Sequence, residues 1–194
     1  MRQFDPESYG SLFAPLLAID RCRALDEGDR RREVRRELRA VDIEAAFAPA
    51  VIVDFAHARC CLAGLWLLHD FLDESHAISQ GVEEPTGSFW HGIMHRREGD
   101  FSNAKYWFRR VGDHPVYPAL AAAATELARS PDEHAAAAQL APGGRWDAFA
   151  MVDACQAALR TGDPAADYCR RVQQAEWELL WDFCYRQAVG ASEA

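Results

Sequence analysis

Two groups of side chains in this 194-residue chain have the types and spacing that metal or acid–base chemistry needs. His91, His95 and Glu98 stand at i, i+4 and i+7, which places two imidazoles and a carboxylate on one face of a helix. His69, Asp73 and His76 repeat that spacing, with Asp70 adjacent. Imidazoles and carboxylates are ligand types for zinc, iron or manganese. Histidines titrating near neutral pH also serve as proton donors and acceptors. Asp54-x-x-His57 and Asp73-x-x-His76 share the acid-x-x-His element with which helical bundles hold paired metals. Neither triplet is an H-E-x-x-H signature, and such pairs also occur as plain salt bridges, caps or satisfied core histidines.

The residues that follow extend the candidate site. Asn103 and Trp107 lie one helical turn apart and form a pocket wall, or else a first-turn cap and a core ring. Lys105 is the lone lysine among the 21 basic residues, so an ammonium stands there where the chain otherwise uses guanidinium. Arg96, Arg97, Arg109 and Arg110 make a basic cluster suited to docking a carboxylate or phosphate. The ligand-binding candidates are therefore His76, His91, His95, Asn103, Lys105, Trp107 and Arg96. The metal candidates are His69, Asp73, His76, His91, His95 and Glu98.

The elements that must position these groups read as helices throughout. No run alternates with period two, and no Asn-Gly or Asp-Gly turn separates apolar runs. Ser130-Pro131-Asp132-Glu133 is a capping box, Pro142-Gly143-Gly144 a break, and Thr161-Gly162-Asp163-Pro164 a stop followed by a new start. The pattern predicts helices near 5–18, 26–41, 46–79, 88–98, 101–111, 116–129, 131–140, 145–160 and 164–188. Short connections make neighbours antiparallel. The expectation is one all-α domain over 1–194, a compact antiparallel bundle of about 7–9 helices. In it the end of helix 46–79 lies near the start of helix 88–98, bringing His76 and Asp73 toward His91.

One block carries a resemblance. Ser88 to Pro115 resembles a tetratricopeptide unit, a helix–turn–helix of about 34 residues. Gly92 occupies the small-residue position where the paired helices touch. Gly99 and Asp100 make the turn before Phe101, Ala104 and Phe108 match the second helix, and Pro115 comes one position early. Weaker echoes stand at Gly28-Asp29 and Gly162-Asp163. The resemblance implies helix pairs that hold a partner segment. It also sharpens an anomaly, because His91 and His95 replace the Leu and Tyr that the pattern uses for packing. The same block is similar to uncharacterised bacterial and fungal proteins, from which no activity follows.

Composition sets the outer bounds. Thirty acidic against 21 basic residues leave a net charge of −9, which argues against nucleic acid. The exception is Arg21 to Arg39, where eight arginines interleave with acids as on a salt-bridged helix. The apolar run Val51 to Leu68 carries Asp54, His57 and Arg59 and reads as a core helix, not a membrane span. At least one of those three is then buried, with Asp54 paired to an arginine of another helix. Six cysteines without C-x-x-C spacing read as reduced thiols of a cytoplasmic protein. Three functions remain: a module binding a protein segment or small polar ligand in a His/Asp/Glu-lined pocket between helices 46–79 and 88–98, an enzyme dependent on a divalent metal (zinc, iron or manganese) using both triplets, or a basic-helix contact through Arg21 to Arg39 with an acidic partner.

Overall fold

The computed structural model describes residues 4–161 and 165–191. They form an all-α bundle with no strand among them. In chain order the helices are α1 (Ala14–Leu17), α2 (Arg35–Arg39), α3 (Ile43–Phe47), α4 (Phe55–Leu68), α5 (Leu72–Ser79) and α6 (Pro85–Glu98). They continue as α7 (Phe101–Val111), α8 (Tyr117–Leu127), α9 (Pro131–Leu140), α10 (Ala148–Thr161) and α11 (Ala165–Val189). No helix among the described residues is long and apolar enough to cross a membrane.

From Phe101 onward the expected helices stand within three residues at each end. The stop expected at Gly162-Asp163-Pro164 lies outside the described residues. Before α4 the expectation fails. Asp20 and Asp26 accept hydrogen bonds from the backbone N–H groups of Cys22 (2.9 Å) and Gly28 (3.2 Å). These local turns compete with helix, so 18–31 is irregular and 26–41 shrinks to a single 3-10 turn plus α2. Arg21, Arg30 and Arg35 pair outward across the molecule, with Glu178, Asp73 and Glu74, while Arg31 and Arg36 pair locally with Glu33 and Glu37.

The helix expected over 46–79 is also interrupted. Asp54 caps α4, its Oδ1 accepting from the His57 N–H at 3.1 Å. Asp54, His57 and Arg59 all remain at least partly exposed, and Asp54 pairs with His57 Nδ1 at 2.8 Å, not with an arginine. The second interruption matters more. Asp70 adopts a left-handed backbone (φ 63°) between α4 and α5. Its buried carboxylate is held by Arg97 at 2.5 Å and by Arg23. An ion pair this deep fails badly if one partner is missing, and its geometry outweighs the helical propensity of the run.

The core is centred on α4, α6 and α11. Gly64 lets α4 and α6 approach: a Cβ there would lie 2.8 Å from the Trp90 ring. Trp177 of α11 donates its indole N–H to the Gly64 carbonyl at 3.0 Å. The six cysteines are free thiols, five of them buried. The α6–α7 hairpin follows the expected block closely. Gly92 faces the Phe108 ring, Asp100 caps α7 by accepting from the Asn103 N–H at 3.1 Å, and Ala104 and Phe108 are buried.

Candidate functional site

Three histidines meet between α5, α6 and α7. His76 sits in the last turn of α5, and the short connection after Ser79 turns the chain back antiparallel into α6. His91 and His95 lie one turn apart on the face of α6 that meets it. The His76 ring centre is 4.5 Å from that of His91 and 5.3 Å from that of His95, while His91 and His95 stack at 4.7 Å. One donor nitrogen from each of the three lies within 4.8 Å of the others.

The surroundings differ for each ring. His91 is 1% exposed, and neither Nδ1 nor Nε2 has a hydrogen-bond partner. Trp107 of α7 stacks on it at 3.9 Å and 15°. His95 Nδ1 is 2.8 Å from Glu98 Oε2. Asn103 Nδ2 is nearly equidistant from both His95 ring nitrogens, at 3.1 and 3.5 Å, so the amide lies over the ring face rather than in line with a lone pair. His95 Nε2 thus keeps its in-plane direction. Burial, reinforced by the neighbouring His95 and His76, holds His91 neutral, with its pKa lowered to about 3. Burial and then His95 also push His76 down. Neutral imidazoles are the form that binds metal.

The other candidates go elsewhere. The break at Asp70 separates His69 from the α5 axis, and His69 Nε2 donates to the Leu16 carbonyl at 2.9 Å. Asp73 turns outward and pairs with Arg30 at 2.9 Å. The His69/Asp73/His76 triplet therefore contributes only His76, because its spacing argument needs one unbroken helix. Glu98 is one contact removed, through His95. Lys105 pairs with Asp153 of α10 at 2.5 Å. Arg96 is no ligand-binding group: it is fully buried and spent on Glu176 and Gln173 of α11. Arg97 is likewise buried, while Arg109 and Arg110 lie over Phe149 and Trp107, so the basic cluster disperses. One open groove is lined by Phe108, Tyr117, Trp146 and Phe149, another by Asp26, Gly28, Asp29 and Arg97. Of the two triplets, Glu98 borders the second groove. The histidines form a ring-on-ring cluster, not the wall of either groove.

A second polar network was not legible beforehand. The Val116 N–H donates to His114 Nδ1 at 3.3 Å, so Nε2 carries the proton and donates to Thr86 Oγ1 at 3.1 Å. The Thr86 hydroxyl then donates to His57 Nε2 at 3.3 Å, and His57 Nδ1–H donates to Asp54 Oδ2 at 2.8 Å. Acid, imidazole and hydroxyl stand in the order of a nucleophilic triad. Thr86 is only 4% exposed and shares its oxygen with a second imidazole, and Phe183 packs edge-on against both rings. The relay is a satisfied clamp joining the starts of α4 and α6 to the loop before α8. Its only advance signal was Asp54-x-x-His57, which read as a metal element.

Comparison with family models, curated proteins and solved structures finds no match to this chain.

Proposed function

We propose that the protein binds a divalent transition metal of the zinc class through His76, His91 and His95. The observation that carries this is His91: a buried imidazole with both nitrogens unpartnered, beside two other imidazoles whose donor atoms lie within 4.8 Å. A buried polar atom without a partner costs about 1–3 kcal/mol, and a metal bond at one nitrogen removes that cost. Zinc–imidazole bonds of about 2.0–2.1 Å in a tetrahedral site separate the nitrogens by roughly 3.3 Å. Each ring would move by about 1 Å to reach it, which small side-chain rotations accommodate. An all-imidazole set favours zinc, copper, nickel or cobalt over magnesium and calcium, which prefer oxygen.

Glu98 accepts from His95 Nδ1–H, fixing the tautomer that presents Nε2. Trp107 holds the His91 plane, and Asn103 covers His95. A metal so held supplies Lewis acidity and lowers the pKa of a bound water. The test is elemental analysis of protein purified without chelator or affinity metal, followed by zinc titration. About one zinc, cobalt or nickel per chain, lost in a His91→Ala/His95→Ala variant that remains helical, is the expected result. Metal-free protein that also fails to take up zinc overturns the proposal.

A further inference from the structure

Resting on that metal reading, we infer that the three-histidine centre is an open site, whose remaining coordination position takes a small anionic oxygen donor: hydroxide, a carboxylate or a phosphate ester. The first ground is the donor count. Among the described residues, the group of His, Cys, Asp and Glu with donor atoms this close contains these three and no fourth. The nearby acids are committed. Glu98 holds His95 at 2.8 Å, Asp73 holds Arg30 at 2.9 Å, and Asp100 Oδ1 takes the Asn103 N–H and the Ser102 hydroxyl. Structural zinc sites close with four protein ligands, whereas catalytic ones use three and leave a position for water or substrate.

The second ground is access. His91 and His95 are buried, and Trp107 covers His91 from the α7 side. His76 on α5 is the most exposed of the three, so an exchanging ligand enters from that side.

The third is charge. Neutral imidazoles leave the full dication, and Glu98 through His95 offsets one unit, so the centre stays net positive. On α5 the charged neighbour is Asp73, paired with Arg30. On α7 it is Arg110, over the Trp107 ring at 5.2 Å, with Asp100 at the helix start. An anion in the remaining position brings the centre to neutrality, and a water there loses its proton near neutral pH.

The experiment is visible spectroscopy of the cobalt(II)-loaded protein with azide as the probe anion. An open site gives bands that shift saturably with one azide per cobalt. The same bands shift with pH in azide-free buffer, and azide affinity falls as hydroxide takes its place. Glu98→Gln, at a largely solvent-facing side chain, removes the offsetting charge and tightens azide several-fold. Cobalt held at one per chain with bands indifferent to azide and pH overturns the open site while leaving metal binding intact. Absence of a cobalt spectrum at stoichiometric protein overturns both, so the two failures are told apart.

Discussion

Replacing His91 by leucine, an apolar side chain of similar size, should make the metal-free protein more stable and the metal-loaded protein less so. The two ring nitrogens of His91 are buried and unpartnered, and each costs about 1–3 kcal/mol relative to a satisfied or apolar group. The stack on Trp107, at 3.9 Å and 15°, goes with the imidazole and returns about 0.5–1.5 kcal/mol of the gain. The balance is a stabilisation of about 2 kcal/mol, or roughly 4–8 °C in melting temperature for a chain of this size. Zinc at a thousand times its dissociation constant stabilises the wild type by about 4 kcal/mol, roughly 8–16 °C, and leaves His91→Leu unmoved. Thermal melts in excess chelator and in excess zinc should therefore cross. A variant that melts below the wild type in chelator would show that the nitrogens are satisfied, and one that keeps the full zinc response would show that His91 is no ligand. Either result refutes the reasoning.

Three further outcomes follow from the same structure. Burial lowers the pKa of His69 to about 4, of His91 to about 3 and of His114 to about 4 from an ordinary 6.5. Because the folded values are depressed, this stabilisation is intact above about pH 6.5 and is lost as pH falls, by about 2–3 kcal/mol per ring near pH 4.5. Urea midpoints at pH 7, 6 and 5 should decline in step, and a flat profile would contradict neutral burial. Arg96→Met leaves Glu176 charged and alone in the core and should cost about 3–5 kcal/mol by urea denaturation. Adding Glu176→Leu should recover most of it, and failure to do so would mean that packing rather than charge was lost. Gly64→Ala drives a methyl to 2.8 Å from the Trp90 ring and should cost about 1–3 kcal/mol with a change in near-UV circular dichroism. An unchanged spectrum and melt would show that α4 and α6 can separate freely.

Much of the site was readable in advance, for local reasons. His91 and His95 share a face because four residues separate them on a helix whose turn, Gly99-Asp100, is written in residue types. His76 could be placed beside them because a short connection folds α5 back on α6. Asn103 and Trp107 followed by the same one-turn rule. The misassignments share a cause. Spacing groups His69 and Asp73 with His76 only along an unbroken helix, and chain order groups Arg96 with its neighbours rather than with what lies across from it.

Periodicity, capping residues and loop lengths thus determined by themselves that the chain is all-α, which residues form the α6–α7 hairpin, and that imidazoles would gather at its edge. Such signals act over a few residues, where backbone geometry alone sets which side chains are neighbours. Only the folded molecule decided that Asp70 breaks the helix to meet Arg97 and Arg23, that Arg96 is buried against Glu176, and that Thr86 links His57 to His114. Those choices come from desolvated charges and hydroxyls seeking partners dozens of residues away. In the low-dielectric core such pairings outweigh any local preference of the backbone.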